Sequence, residues 1–186
     1  PYTTLFRSGK RFIKSIAVGL TISGIILSTL HQGALGALFT YAPSKVHPLW
    51  LSVNFQWIHF FCSAIFAGLS MVIVSSTLCK RYMTWRCDRR FLDSVDELTL
   101  GLGKGCAYAL ITYLVIKLVG VAHDNEWAYL LTGWGQYFLL EMGLAVVLPM
   151  LLFAYSVKHH LVGMVRFAAL ISVLGVVWNR LNTALI

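Results

Sequence analysis

The chain has 186 residues, of which 58% are hydrophobic and only 12% charged, and its mean hydropathy is +0.75. Soluble proteins carry roughly 25% charged residues, so this composition excludes an ordinary soluble domain. The net charge of +8 is better explained by membrane topology and contact with anionic membrane lipids than by nucleic-acid binding. We therefore expect an integral membrane protein with no nucleic-acid partner.

Five apolar segments are each long enough to cross the hydrocarbon core of a bilayer, which takes roughly 20 residues of helix. They cover residues 13–42, 49–78, 98–122, 127–156 and 161–181. Three of the connections are short, which favours antiparallel neighbours, and nothing alternates like the strands of a barrel. The sequence predicts an all-α integral membrane protein, a bundle of about five antiparallel transmembrane helices in a single membrane domain over residues 1–186.

The basic residues orient this bundle. With the N-terminus in the cytoplasm, twelve of the fifteen Lys and Arg residues fall on the cytoplasmic side, and the acidic Asp124 and Glu126 fall on the outer side with Lys45. The positive-inside rule therefore predicts a multi-pass protein of the cytoplasmic (inner) membrane with this N-terminus in the cytoplasm. Because the chain begins with Pro1, we expect it to be part of a longer protein.

The four cysteines do not have the spacing of a metal site. Cys62, Cys79, Cys87 and Cys106 form no Cys-x-x-Cys pair and are not interleaved with histidines. The sequence therefore predicts free thiols rather than an iron–sulfur cluster or a structural zinc site. Chemistry would have to be carried by polar residues within the helices, which are expensive in lipid and are functional candidates for that reason.

Two histidines are the first such candidates. His31, followed by Gln32, shares a helical face with Ser28, and this small residue leaves room for a flat ring beside the imidazole. At about 1.5 Å per residue, His31 and His59 of the second segment both lie roughly 12–17 Å below the outer surface, so the two rings could meet. The alternative is that these polar side chains only form hydrogen bonds between helices.

Glu141 lies near the middle of the fourth segment, with no cation in the same turn. A carboxyl group there is expected to be neutral, or paired with a group on another helix such as His31, His59 or Lys117, and to handle protons. The alternative is a protonated side chain bonded to a nearby hydroxyl or carbonyl. Lys117 itself is predicted to extend to the outer head groups. An interfacial belt of aromatic residues is predicted from Trp50, Trp57, Trp127 and Trp134.

The sequence resembles the NrfD/HybB (polysulfide reductase NrfD-like) family of integral membrane subunits in six strings, which occur in order along the chain. They are residues 31–39 (HQGALGALF), 47–50 (HPLW), 63–68 (SAIFAG), 141–143 (EMG), 148–150 (LPM) and 179–182 (NRLN). The family commonly has Ser or Pro and then Ser after the His-Gln pair, and here Gly33 and Ala34 replace them. The resemblance covers most of this chain and corresponds to the C-terminal portion of the proteins in that family.

This resemblance implies a quinone-reactive membrane subunit of a respiratory oxidoreductase complex. Such a subunit uses menaquinone or another quinone as an exchangeable substrate and has no haem or iron–sulfur cluster of its own. It exchanges electrons with an iron–sulfur subunit on the outer face, which is joined to a catalytic or multihaem cytochrome subunit. Membrane lipids are its other partners. Whether the chain itself counts as an enzyme is left open by the resemblance.

Quinol oxidation releases two protons with two electrons, so the quinone oxygens need partners that accept hydrogen bonds and protons. We hypothesise that His31 binds a quinone oxygen and exchanges its proton, that Ser28, Gln32 and His59 complete the quinone site, and that Glu141 relays protons. Three alternatives stay open: a purely structural anchor, a haem b subunit with His31 and His59 as axial ligands, and an ion or solute transporter.

Overall fold

The computed structural model describes residues 2–41 and 46–185, without the side chains of residues 2–12, 14, 15 and 86. Its helices are α1 (Tyr2–Thr40), α2 (Gln56–Tyr82), α3 (Arg89–His123), α4 (Gly133–Met142), α5 (Leu148–Lys158) and α6 (Val162–Leu185). A π-helical turn at Gly143–Val147 joins α4 and α5 into one rod, so five rods are long and apolar enough to cross a membrane. The described residues contain no strand, and the predicted all-α membrane bundle is confirmed.

Two helices begin later than the sequence analysis placed them, both at the same end of the bundle. The second segment was predicted to start at residue 49, but Pro48–Trp50 forms a 3-10 turn and α2 begins at Gln56. The fourth was predicted to start at residue 127, but Glu126–Leu131 is a 3-10 segment, after which Thr132 accepts a hydrogen bond from the Gly135 N–H and caps α4.

Other bounds differ as well, and α1 starts eleven residues earlier than predicted. α3 starts nine residues earlier than predicted, α5 extends to residue 158 and α6 to residue 185, whereas residues 42 and 45 lie outside the described chain.

We call the end formed by residues 46–55 and 124–132 the tryptophan end. The opposite end, formed by residues 83–88 and 159–161, is the basic end.

The core lies between α2, α3, the α4–α5 rod and α6. α2 packs against α1, α3 and α6, and α3 packs against α5 and α6. Fully buried apolar side chains fill the space between these four rods: Phe66, Ile73, Leu110, Phe153 and Val165. In contrast, α1 is peripheral and its described residues from Ile16 to His31 are all exposed. Apolar side chains on that stretch are suited to face lipid.

An ion-pair cluster holds three helices together at the basic end. Asp96 of α3 accepts a hydrogen bond from Lys80 Nζ of α2 at 3.0 Å and from Arg166 Nη2 of α6 at 2.6 Å. Both pairs are partly exposed, so each contributes about 0–1 kcal/mol to stability. Their main effect is to set the spacing of α2, α3 and α6 at this end.

The π-helical turn has a local cause in the sequence. Pro149 has no N–H and cannot donate to the carbonyl of residue 145, and the Leu148 N–H donates to the Gly143 carbonyl five residues back. The widened turn brings Ala145 close to Gly175 of α6. A Cβ at position 175 would lie 2.8 Å from the Ala145 Cβ and 3.0 Å from its Cα. Glycine is therefore required where α6 crosses this turn.

We expect Gly175→Ala to push α6 away from the π-helical turn and to lower the free energy of unfolding by about 1–3 kcal/mol, as overpacked cores do. Thermal unfolding of the detergent-solubilised protein measures the change. Gly163→Ala is the matched control on the same helix, because a Cβ at position 163 meets no atom within 4 Å. Equal melting temperatures for the two variants would contradict this account of the crossing.

Candidate functional site

The Glu141 carboxylate is the centre of a buried hydrogen-bond network near the tryptophan end. Its Oε2 accepts from Trp50 Nε1 at 2.8 Å and from Asn182 Nδ2 at 2.7 Å, and its Oε1 accepts from Asn179 Nδ2 at 2.6 Å. Glu141 and Trp50 are each only 1% exposed. A carboxylate removed from water in this way is tolerated because its lone pairs are hydrogen-bonded.

A second set of hydrogen bonds fixes the orientation of Asn182. Trp178 Nε1 donates to Tyr137 Oη at 2.9 Å, and Tyr137 Oη donates to Asn182 Oδ1 at 3.1 Å. With its oxygen occupied, Asn182 directs its amide N–H toward Glu141. The chain of donors therefore runs from Trp178 to the carboxylate, through residues of α4 and α6.

Three of the strings that carry the family resemblance meet at this carboxylate. Residues 47–50 supply Trp50, residues 141–143 supply Glu141 itself, and residues 179–182 supply both asparagines. The 3-10 turn at residues 48–50 is what brings Trp50 into the bundle. Trp50 was predicted to lie in an exposed interfacial belt, and that prediction is wrong, whereas Trp57, Trp127 and Trp134 are about half exposed.

A void of about 10 Å³ lies beside the carboxylate, between α2, α3, the π-helical turn and α6. Its polar lining consists of Ser63, Tyr113, Glu141 and Asn179. This volume is enough for about one water molecule, and four polar side chains are enough partners for it. The void thus offers a hydrogen-bonding route from Glu141 toward Ser63 and Tyr113.

Arg180 lies on the other side of Ser63. Its Nη2 donates to Ser63 Oγ at 2.5 Å and to the Phe60 carbonyl at 3.3 Å, and its Cζ lies 3.4 Å from the centre of the Phe60 ring. The guanidinium is therefore satisfied by α2 through hydrogen bonds and a cation–π contact. The sequence analysis did not assign this residue a role, although its position inside an apolar segment is a signal.

His59 is buried on the α3 side of α2, at 4% exposure. Its ring lies 5.8 Å from the Tyr113 ring, and its Cε1 is 3.6 Å from where a Cβ at Gly120 would be. The Ile116 carbonyl is close enough to interact with the ring, but neither ring nitrogen meets the geometry of a hydrogen bond with any described residue. A buried imidazole without partners is costly and is a reason to regard His59 as functional.

The groove between α1 and α2 has a volume of about 710 Å³ and contains two of the predicted quinone ligands. Ser28 and Gln32 line it, opposite Phe61, Ala64 and Ile65 of α2. Neither polar side chain makes a hydrogen bond to any described residue. Thr21 and Thr29 also line the groove, but each hydroxyl donates to a carbonyl four residues back in its own helix. Ser28 and Gln32 are thus the free donors of this groove.

The structure does not bring all four predicted quinone ligands together. His31 is exposed and does not line the groove that holds Ser28 and Gln32, and His59 is buried against α3. Glu141 is bonded to Trp50 and two asparagines rather than to a histidine or Lys117. The described residues contain no group of three or more His, Cys, Asp or Glu side chains that could hold a metal ion.

Lys117 does not extend to the head groups, and that prediction is wrong. It is 5% exposed, and its Nζ lies 5.5 Å from the centre of the Phe138 ring. It lines a pocket of about 250 Å³ between α3 and α4, which we call the α3–α4 pocket. Apolar side chains supply the rest of the described lining, including Leu114, Leu118, Val121, Trp127, Leu130, Leu139, Met142 and Val147.

The tryptophan end carries titratable groups outside the membrane-spanning helices. Burial, with a smaller effect from Asp124, raises the pKa of Glu126 to about 7. Burial also lowers the pKa of His47, whose Nδ1 accepts from the Leu49 N–H at 3.3 Å. Ser52 Oγ donates to Asp124 at 2.8 Å and links the start of α2 to the end of α3. Glu126 can therefore exchange a proton with water near neutral pH.

We expect Trp50→Phe to lower the free energy of unfolding by about 1–3 kcal/mol, because it removes one donor from a buried carboxylate and keeps most of the ring. Thermal unfolding in detergent measures the loss. Trp57→Phe is the matched control, since that indole is half exposed at the same end of the bundle. If both variants had the same melting temperature, the Trp50–Glu141 hydrogen bond would not stabilise the packing of the turn at residues 48–50 against α4.

Comparison with known proteins agrees with the resemblance in the sequence. The family model described as "Polysulphide reductase, NrfD" matches residues 3–183. A protein of Nitratidesulfovibrio vulgaris (strain Hildenborough) is 44% identical over 182 residues, which are 96% of this chain and 47% of that protein. The chain thus spans about half the length of this relative.

A shorter match is to the probable Ni/Fe-hydrogenase 2 b-type cytochrome subunit of Escherichia coli K12, at 38% identity over 55 residues, 30% of this chain and 14% of that protein. No solved structure matches the chain significantly. Since the family model covers nearly the whole chain, and five helices can cross a membrane, the chain belongs to the NrfD family of multi-pass membrane proteins.

Proposed function

We propose that the chain is part of a quinone-reactive membrane subunit of a respiratory oxidoreductase complex, with menaquinone or a similar quinone as its exchangeable substrate. The observation that carries the proposal is the α1–α2 groove, where Ser28 and Gln32 are donors without a described partner on a mostly apolar surface. Sites for small organic molecules have this composition and a volume of about 300–1,000 Å³. The groove is within that range.

The geometry of the groove suits an amphiphile with a polar head and a long apolar tail. Gln32 is eight residues from the end of α1, which places it about 12 Å below the tryptophan end, and Thr21 is about 16 Å further along the helix. A quinone ring at Gln32 would leave its tail in the groove toward Thr21 and the lipid. His31 precedes Gln32 on an exposed face of α1 that does not line the groove, and we propose that it exchanges a proton with a quinone oxygen at the edge of the groove.

Electrons and protons leave the quinol by different routes. Oxidation of one quinol to quinone yields two electrons and two protons, and an iron–sulfur cluster of a partner subunit at the tryptophan end would accept the electrons. A catalytic or multihaem cytochrome subunit would accept them in turn. In this arrangement the basic end lies in the cytoplasm of the cell and the tryptophan end faces outward across the cytoplasmic membrane, in agreement with the positive-inside rule.

Glu141 is proposed as a proton relay within the tryptophan half of the bundle. Its present donors, Trp50, Asn179 and Asn182, all contribute N–H groups, so a proton arriving at the carboxylate can be passed on only through the void toward Ser63 and Tyr113. Glu126, whose pKa is about 7, is suited to exchange protons with water at the same end.

A haem b subunit is less well supported by the geometry. Haem between α1 and α2 would need two histidines facing the same space, but neither His31 nor His59 lines the described groove there. The Escherichia coli relative is named as a b-type cytochrome subunit, but the match covers only 14% of that protein. We therefore keep quinone reactivity as the proposal.

The first test is quinol oxidation by the purified complex that contains the full-length chain. We expect His31→Ala to lower kcat about 100-fold or more, the usual contribution of a general acid–base group. Gln32→Leu should raise KM about 2- to 10-fold through loss of one hydrogen bond. Gly24→Leu should fill the groove and raise KM further, because Gly24 lines it and its Cβ position is open.

Gly19→Leu is the matched control for the groove. Gly19 lies on the same helix with the same open surroundings, but it does not line the groove. Wild-type kinetics for Gly24→Leu and Gln32→Leu would exclude the groove as the quinone site. Wild-type turnover in His31→Ala would remove that histidine from the mechanism.

The relay is tested by comparing Glu141→Gln with Trp50→Phe in the same assay. Both variants lose a hydrogen bond of the network, but only Glu141→Gln loses the group that can carry a proton. We expect Glu141→Gln to lower kcat at least about tenfold more than Trp50→Phe. Equal turnover in the two variants would reduce Glu141 to a structural role.

A further inference from the structure

We infer a second quinone-binding site in the α3–α4 pocket, where Lys117 donates a hydrogen bond to a carbonyl oxygen of the ring. The inference rests on the proposed function for the class of substrate, but it concerns different helices from the α1–α2 groove. It is carried by three observations: the state of the Lys117 side chain, the composition of the pocket and its position next to Glu141.

The Lys117 side chain is buried without a described polar partner. Its side chain is 95% buried, yet among the described residues it makes no hydrogen bond and no ion pair. Its described neighbour is the face of Phe138, which the Nζ approaches at 5.5 Å from the ring centre. The amine has N–H donors in either protonation state, and a buried donor without an acceptor is costly. An acceptor entering the pocket would remove that cost.

The chemistry of the pocket selects the ligand. Lys117 is its one described charged side chain and Trp127 adds an indole N–H, whereas Leu118 and Leu139 at the pocket are just over half exposed on surfaces apolar enough to face lipid. A phosphate head group has several charged oxygens that would stay unpaired here, whereas a quinone ring is flat and apolar and has two carbonyl acceptors. The volume of about 250 Å³ is slightly below the range of about 300–1,000 Å³ for whole small-molecule sites, so the pocket would hold the ring alone while the tail remains in the lipid.

The third observation is that one side chain separates this pocket from the Glu141 network. Met142 lines both the α3–α4 pocket and the void beside Glu141. Phe138, which Lys117 contacts, packs edge-on against Trp50 at 5.3 Å, and Trp50 donates to Glu141. Gly143, the first residue of the π-helical turn, also lines the pocket and leaves its Cβ position open. The ring would therefore lie beside the proposed proton relay.

The experiment is photoaffinity labelling of the intact complex in lipid nanodiscs with an azidoquinone, followed by mapping of the labelled peptides. In the wild type we expect label both at the α1–α2 groove and at the α3–α4 pocket. Lys117→Met should raise the half-saturating concentration at the α3–α4 pocket about tenfold, and Lys117→Arg should raise it less, because a donor remains. Labelling at the groove should not change in either variant.

Two glycine variants separate the sites by shape. Gly143→Leu should abolish label at the α3–α4 pocket alone, and Gly24→Leu should abolish label at the groove alone. Label confined to the groove in the wild type would overturn the second site and leave the proposed function standing. If labelling at the α3–α4 pocket is the same in the wild type, Lys117→Met and Gly143→Leu, the label reflects partitioning of the quinone into lipid. That result would also overturn the second site.

Two further outcomes would contradict the second site or the proposed function. If added phosphatidylglycerol displaces the label from the α3–α4 pocket and an unlabelled quinone does not, the pocket binds a lipid and the inference fails. If neither site is labelled and the wild-type complex does not oxidise quinol, the proposed function fails as well.

Discussion

A carboxylate at membrane depth must have its lone pairs satisfied by the protein, and this requirement organises the tryptophan end. The donors of Glu141 come from two separate parts of the chain, the turn at residues 48–50 and the last part of α6. Forming them requires that the turn enter the bundle and that α6 lie against α4. The glycine at position 175 permits the same approach one turn deeper, where the π-helical turn meets α6. Polar satisfaction and backbone packing thus specify one arrangement of α4 and α6.

The number and type of membrane helices followed from composition and segment length, because a spanning helix needs an apolar run of known size. The starts of α2 and α4 did not follow, since Pro48–Trp50 and Glu126–Leu131 are apolar enough to extend the runs that follow them. Hydropathy reports how apolar a segment is, but it does not distinguish a 3-10 turn that packs into the bundle from the first turn of a spanning helix. That is also why Trp50 was assigned to an exposed belt.

The candidate site was predicted in part. Glu141 was identified from the cost of a carboxyl group inside an apolar segment, but its donors could not be, because Trp50, Asn179 and Asn182 are distant from it in sequence. The relation of His31 to His59 was beyond reach for a different reason: equal depth does not place two side chains on facing surfaces. α1 is peripheral, with His31 exposed, whereas His59 faces α3 from the core. Rotation of a helix about its axis is set by packing, which one sequence does not display.

Lys117 and Glu141 lie in the same half of the bundle but are not paired with each other. Lys117 contacts the Phe138 ring, Phe138 packs against Trp50 and Trp50 donates to Glu141, but Lys117 and Glu141 form no ion pair in the part of the chain that the structure describes. A direct buried pair would satisfy both groups and would have little capacity to act on anything else, since removing either partner from such a pair is costly. Arg180 is likewise satisfied elsewhere, by Ser63 and the Phe60 ring. With Glu141 held by neutral donors and Arg180 held by α2, the Lys117 amine is left directed at an apolar pocket. The proposed second quinone site would give this amine the acceptor that the described residues do not supply.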